Sequence, residues 1–511
     1  MNIAQFVPEV KSAAEVYPPE AQAHQTQRWE HLLAKFEEHY GQPAAFIARA
    51  PGRVNIIGEH IDYMLFSVLP MAVEADMLLA IRITPQSSTI KIANVLPKYP
   101  EREFTVPTAG SGDIEIDGTK LEWSNYFKAG YRGAVEFLRR NGVAEASAPP
   151  GMEILVDGTV PSGGGLSSSA AFVCASALAA MASMGVATVD KKELVGLSIV
   201  SERYVGVNSG GMDQSASVLG QEGSALYISF DPELTVEAVA FPKKPEMVFL
   251  IANTFKTVEK QVTGPIHYNL RVVETTLAAE VLAKMLQLGP LPEDAGPLGA
   301  SLKGLMGLYF TKNPSEESLE KRLAEVAQIA QGVLYKQEGY TREEIAEILE
   351  IPVETLTQKY MTRFPVRAEK FQLQARTLHV FNEAARVVKM YRVLAESSQE
   401  ENSSKEVLVK LGELMNESQK SCKELYDCSC EELDELCRLA REAGSYGSRL
   451  TGAGWGGCSV HLVPKEKAEA VKKAWLEEYY AKLGLSEDKL LEAIVESKPG
   501  SGAVLYKLQT A

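Results

Sequence analysis

The sequence predicts a two-domain protein of mixed α/β and α+β class. Three observations carry that expectation. A chain of 511 residues is too long for one hydrophobic core. Up to about residue 225, short β-branched or alternating apolar runs are interleaved with longer helical runs. Two further strand-like runs then open a second region, mostly helical at its centre and closed by a late strand. The expected division is 1–225 and 226–511.

Taken in order, Val54, Ile56 and Ile57 supply the β-branched side chains of a half-buried strand, and Gly58 breaks it. Residues 77–84, 89–94 and 152–156 read as strands, and 126–139 and 170–184 as helices. The run 170–189 carries no charge and is long enough to span a bilayer. Its alanine, serine and glycine suit a helix packed tightly inside a protein, so a membrane span is rejected. In the second region 225–230, 247–252, 458–463 and 503–508 read as strands. Gly289, Pro290, Pro292, Gly296 and Pro297 mark a loop. A helical stretch is expected from there to about residue 364, where Thr341 and Glu344 fit a capping box ahead of Ile345, Ile348 and Leu349. Its charge is mixed and offers no basic recognition face, so it reads as packing rather than a DNA-binding helix-turn-helix.

Composition bounds the partners. Lys+Arg of 52 against Asp+Glu of 67 gives a net charge of −15, which repels nucleic acid and anionic membranes. Six cysteines in this length form no disulfide framework. Cys422, Cys428, Cys430 and Cys437 cluster, but without paired C-x-x-C knuckles and among Leu425, Leu433 and Leu436, so reduced thiols are expected rather than zinc. The N-terminus lacks a basic region and an apolar core, so no secretory signal is expected and the location is read as cytoplasmic.

Three stretches carry chemistry. Ala50-Pro-Gly-Arg-Val-Asn-Ile-Ile-Gly-Glu-His-Ile-Asp-Tyr63 crowds Arg53, Asn55, Glu59, His60 and Asp62 around the end of a strand. Such a cluster is costly to desolvate unless it binds something polar. Val160-Pro-Ser-Gly-Gly-Gly-Leu-Ser-Ser-Ser-Ala-Ala171 places three glycines and three serines ahead of a buried helix. Backbone N–H groups in such a loop, aimed by a helix N-terminus, cradle phosphate. It is not a Walker A loop, since no Gly-Lys-Ser/Thr follows. Ser448-Arg-Leu-Thr-Gly-Ala-Gly-Trp-Gly-Gly-Cys-Ser-Val-His-Leu-Val463 contains a chance G-x-G-x-x-G at Gly452, Gly454 and Gly457. That fingerprint needs a following helix, and a strand follows here, so a dinucleotide site is rejected.

Together these stretches resemble the GHMP small-molecule kinases and, within them, the galactokinases, most nearly the longer eukaryotic members. Gly210-Gly-Met-Asp-Gln214, Trp123-Ser-Asn-Tyr126, Ser201-Glu-Arg-Tyr204 and His267-Tyr-Asn-Leu-Arg271 extend the likeness over most of the chain. The resemblance implies a two-domain fold with the active site in the interdomain cleft, and makes 289–364 a helical insert relative to shorter bacterial members. It implies ATP-dependent phosphorylation of the anomeric hydroxyl of galactose, with N-acetylgalactosamine kinase, or a galactose sensor acting through a regulatory protein, as the alternatives.

The resemblance also assigns roles. Asp213 is expected beside the sugar C1 hydroxyl as the base, with Arg53 close by to hold it ready and to offset charge on the transferring phosphoryl group. Glu59, His60, Asp62, Gly210 and Tyr268 are expected to complete the galactose pocket with Arg53 and Asp213. Gly163, Gly164, Gly165, Leu166, Ser167, Ser168 and Ser169 should wrap the ATP phosphates, and Trp123 and Tyr126 should lie near the adenine. Ser169 and Glu202 are the expected Mg2+ ligands, being hard oxygen donors. At Gly164 the family commonly has serine, so a side-chain contact is missing there. The protein is expected to act as a monomer on galactose and ATP, with no nucleic acid or membrane partner.

Overall fold

The computed structural model describes residues 3–110, 112–117, 120, 122–161, 164–206, 210–256, 263–397 and 405–508. The apolar alternation of the first region builds a seven-stranded sheet. Its order is β1 (Glu9–Val10), β15 (Val504–Lys507), β2 (Phe46–Ile57), β3 (Leu69–Thr84), β6 (Gly151–Gly158), β4 (Thr89–Asn94) and β5 (Arg102–Thr105). Every residue of β2 is buried, rather than one face as its alternation suggested. One face of the sheet lies under the helix Pro19–Tyr40, whose Trp29, Leu32 and Phe36 meet Ile47, Leu78, Ala80 and Leu155. Their spacing of three and four residues is the helical signal for this cover. The alternate residues Ala48, Leu79, Ile81 and Ile154 join the main core on the other face.

That other face carries the helices Ser124–Arg140, Ser168–Ser183, Lys191–Glu202 and Met212–Leu219. The Ala-rich helix is almost wholly buried, which is why its sequence is uncharged. Gly130 of its neighbour has no room for a Cβ against the carbonyl of Val173, so small residues set how closely the two helices pack. Asp190 caps Lys191–Glu202 by accepting from the N–H groups of Lys192 at 2.8 Å and Glu193 at 3.1 Å.

A second, four-stranded antiparallel sheet has the order β12 (Gly447–Thr451), β13 (Cys458–Pro464), β9 (Met247–Asn253) and β14 (Ile494–Ser497). The hairpin of β7 (Ser224–Ser229) and β8 (Thr235–Ala240) links the two regions, with Val68 bridging Ile228. In the expected insert, Leu302–Lys312, Leu319–Val333, Arg342–Leu349 and Val353–Met361 are helices packed on Tyr268–Met285 and Leu373–Ser397. The capping box of Thr341 and Glu344 is formed, next to the short antiparallel pair β10 (Tyr340–Thr341) and β11 (Lys370–Phe371). After β14 the chain returns to the first sheet, where β15 pairs antiparallel with β2. The two regions are therefore not separate stretches of chain, because the last residues belong with the first.

No helix among the described residues is long and apolar enough to cross a membrane. All six cysteines are free thiols.

Candidate active site

Arg53 enters the site from β2, between two irregularities in its pairing with β3 at Pro51/Arg53 and Asn55/Ile57. Such bulges re-aim a side chain. Its Nε donates to Asp213 Oδ1 at 2.7 Å and its Nη1 to the Gly165 carbonyl at 2.7 Å. Asp213 lies in the first turn of Met212–Leu219, where the helix N-terminus favours a carboxylate. The hydroxyl of Ser167 donates to Asp213 Oδ2 at 2.6 Å. The Arg53 side chain is 5% exposed and that of Asp213 21%, so the guanidinium is buried behind a carboxylate that solvent still reaches.

The phosphate-type loop rests on the glycine turn between β12 and β13. Gly165 has φ +75, and a Cβ there would come within 2.9 Å of the Thr451 carbonyl. Gly452, at φ +86, would in turn place a Cβ 2.9 Å from the Gly165 carbonyl. Both positions need glycine twice over, for the left-handed backbone and for the close approach. Gly164 has less latitude than a free loop, since a Cβ would sit 3.3 Å from Cys458 Sγ and 3.3 Å from the Pro161 side chain. Ser168 and Ser169 open the buried helix. Gly163 lies outside the described residues.

On the other side of Asp213 lies the 59–63 segment. Burial and the nearby Asp213 carboxylate push the carboxyl of Asp62 up to about 7. Gly210 leaves no space for a Cβ against that carboxyl group. Burial raises the carboxyl of Glu59 against the opposing pull of Arg449 and Arg53, and Arg449 Nη2 lies 3.0 Å from Glu59 Oε2. His60 is held at φ 61, and burial pushes its imidazole down to about 3. The ring is therefore neutral, with Nε2 donating to the Ala453 carbonyl at 2.8 Å and Nδ1 accepting from the Tyr63 hydroxyl at 3.2 Å. Both ring nitrogens already have protein partners, so the imidazole presents no spare donor. Tyr268 opens the helix Tyr268–Met285 and packs 5.9 Å from His60 and 5.5 Å from Tyr63, ring to ring.

Glu202 Oε2 accepts from Gln214 Nε2 at 2.6 Å, which ties this carboxylate to the helix that carries Asp213. The Glu202 charge raises the Tyr126 hydroxyl, after burial itself, so the two lie close together. Trp123 stacks parallel to Phe172 at 6.1 Å and donates its Nε1 hydrogen to the Pro100 carbonyl at 3.0 Å. Arg53, Asp62, Gly165, Leu166, Ser167, Gly210 and Asp213 thus meet in one region, to which Gln214 joins Glu202, whereas Trp123 packs on Phe172 of the Ala-rich helix.

Sequence reasoning missed the support behind the pocket. Arg449 is fully buried and donates to the Asn55 carbonyl at 3.0 Å and Ser418 Oγ at 3.0 Å. Ser418 donates at 2.6 Å to Glu383, which also accepts from the Gly58 N–H at 2.9 Å. Burial opposes the charge on Glu383, but Arg386 and Arg449 prevail and hold its carboxyl at about 2. His379 donates to the Glu59 carbonyl at 3.0 Å, and the Tyr426 hydroxyl meets that of Tyr63 at 2.5 Å. The available signal was Arg449 itself, the single cation of the buried strand Gly447–Thr451, which demands a buried partner.

Chemically, the arrangement sets a carboxylate held by a guanidinium and a hydroxyl beside a glycine loop at a helix start and a cluster of buried polar side chains. The galactokinase galactose-binding signature matches residues 34–83, the GHMP kinases N terminal domain residues 125–221, and the GHMP kinases C terminal family residues 401–482. A galactokinase of Saccharomyces cerevisiae is 40% identical over 526 residues, covering 98% of each chain. One of Schizosaccharomyces pombe is 37% identical over 500 residues, covering 94% of this chain and 95% of that one. Among solved structures, Lactococcus lactis galactokinase complexed with galactose is similar at 25% identity and a TM-score of 0.64, over 94% of this chain and 100% of that one.

Proposed function

The chain belongs to the galactokinase family of the GHMP kinases, and on that premise we infer how its own residues carry out the ATP-dependent phosphorylation of galactose at the C1 hydroxyl. The observation that carries the assignment is the Asp213 carboxylate, fixed by Arg53 at 2.7 Å and by Ser167 at 2.6 Å beside the glycine loop.

Asp213 takes the proton of the C1 hydroxyl. The freed O1 forms a bond to the γ-phosphorus of ATP as the bond to the β–γ bridging oxygen breaks, and ADP leaves with that electron pair. Phosphoryl transfer of this kind depends on placement and charge rather than covalent participation by the protein. Arg53 supplies the charge, and the N–H groups of the glycine loop, with Ser168 and Ser169 at the helix start, hold the phosphates. Asp62 and Glu59 bond sugar hydroxyls, Tyr268 and the neutral His60 wall the pocket, and Gly210 keeps the Asp62 carboxyl uncrowded. A carboxyl at about 7 serves a sugar hydroxyl well, since at neutral pH it donates in one form and accepts in the other. Trp123 and Tyr126 are assigned to the adenine end.

For Mg2+, Ser169 and Glu202 offer hard oxygens, and no group of three or more acid, histidine or cysteine side chains among the described residues forms an all-protein cage. That donor set fits an ion which keeps its waters and binds chiefly through substrate phosphates. When bound, it neutralises charge on the phosphates. Six free thiols suit a cytoplasmic setting.

An ADP-release assay on galactose, N-acetylgalactosamine and glucose tests the substrate. Galactose is expected to be preferred over glucose by at least about two decades in kcat/KM, because inverting the C4 hydroxyl leaves buried polar groups unpaired. Comparable rates on glucose overturn the galactose reading. Comparable rates on N-acetylgalactosamine reveal a pocket open at C2 and move the assignment to that sugar.

A further inference from the structure

We propose that Ser167 is a positioning residue that orients the catalytic carboxylate, beyond any contact it makes with nucleotide. The inference rests on Asp213 being the proton acceptor. Ser167 occupies the N-cap position of Ser168–Ser183, a place where serine ordinarily accepts from the helix's own N–H groups. Here its side chain makes no capping bond. The hydroxyl instead donates across the site to Asp213 Oδ2 at 2.6 Å. The residue also sits at φ 56 and ψ 43, a left-handed conformation uncommon for a residue with a Cβ. A forgone cap and a strained backbone are each unfavourable locally, and they persist only where surrounding contacts require them.

Those contacts form a closed ring. Arg53 Nε donates to Asp213 Oδ1 at 2.7 Å, Arg53 Nη1 to the Gly165 carbonyl at 2.7 Å, and the Arg53 N–H to the Leu166 carbonyl at 3.1 Å. Ser167, next in the same loop, closes the ring on the other carboxylate oxygen. Two donors, one on each oxygen, fix the rotation of the carboxylate about its Cβ–Cγ bond and leave each oxygen a further lone pair for a hydroxyl proton. The loop that receives phosphate and the group that receives the proton are thereby locked in one register. Misplacement of a reacting group by about 1 Å costs up to about a hundredfold in rate.

Steady-state kinetics on Ser167→Ala and Ser167→Gly, with Asp213→Asn alongside, provide the test. Both serine variants are expected to lose about ten- to a hundredfold in kcat while the KM values for galactose and ATP stay within about threefold. Glycine removes the Cβ penalty at positive φ, so an equal loss in both variants traces the effect to the hydroxyl. Wild-type kcat with a raised KM for ATP overturns the proposal, since the hydroxyl then serves nucleotide alone. Restored kcat in Ser167→Gly overturns it in favour of backbone strain. If Asp213→Asn keeps near wild-type turnover, the acceptor assignment itself falls; if it is inactive while Ser167→Ala is not, only the role of Ser167 does.

Discussion

Asp62 shows what burial beside another carboxylate does to an acid. Burial first, and then the Asp213 charge, push its carboxyl up to about 7. A carboxyl raised on folding binds its proton more tightly in the folded state. Its contribution is therefore most favourable below the unfolded value near 3.8 and is lost as pH rises through about 7. Asp62→Asn should remove that dependence. Relative to wild type the variant should gain stability between about pH 4 and pH 7, by no more than about 1.4 kcal/mol per pH unit. It should also lose about one to two decades in kcat/KM for galactose. Urea unfolding at several pH values checks the first outcome, and a stability difference that is flat with pH would refute it. The residue types at Asp62, Asp213 and Arg53 were legible from their motifs. The engagement of both His60 nitrogens was not, because Tyr63 is near in sequence but Ala453 arrives from the far end of the chain.

Among the elements, the glycine loop and the glycine turn act as one unit built from backbone contacts. Gly165 needs the Thr451 carbonyl to meet no Cβ, and Gly452 leaves the Gly165 carbonyl where it accepts from Arg53. Gly452→Ala should therefore reach beyond its own turn. A methyl at φ +86, 2.9 Å from the Gly165 carbonyl, is expected to destabilise the fold by about 1–3 kcal/mol and to displace the partner of Arg53. A thermal melt should fall by several degrees, with kcat reduced more than tenfold in protein that remains folded. Wild-type kcat despite the lowered melt would separate the turn from the chemistry. The buried Ala-rich helix was readable from its uncharged run and the strand after the turn from its alternation, whereas the strand Gly447–Thr451 and the helix Met212–Leu219 were not singled out. The helix Pro19–Tyr40 was not singled out, although Trp29, Leu32 and Phe36 carry a helical spacing.

Across the whole molecule, the last strand ties the two regions together and a buried charge cluster holds the joint. Asp76 accepts from Tyr17 at 2.5 Å, Arg28 at 2.7 Å and Arg49 at 2.5 Å, and Arg49 donates onward to the carbonyls of Ser501 at 3.0 Å and Gly502 at 2.9 Å. Asp76→Ala would leave the fully buried Arg49 guanidinium without a carboxylate, while Arg28 keeps Asp157 at 3.2 Å, at a cost of about 3–5 kcal/mol. Because the cluster does not include the catalytic groups, KM values of the surviving folded fraction should stay close to wild type, which denaturant unfolding combined with kinetics will resolve. The sequence by itself determined the fold class and the galactokinase likeness and singled out the glycine loop, Asp213 and Arg53 as candidates, because these depend on short stretches whose chemistry is local. Only the tertiary structure decided that Arg449 backs Glu59, that Ser167 gives up its cap for Asp213, and that β15 joins β2. Those contacts join residues 46 to more than 450 positions apart in pairs such as Ser167 with Asp213 and Arg49 with Gly502. Periodicity and motif spacing report only on neighbours along the chain, whereas the partner of a buried charge is chosen by the packing that removes it from water.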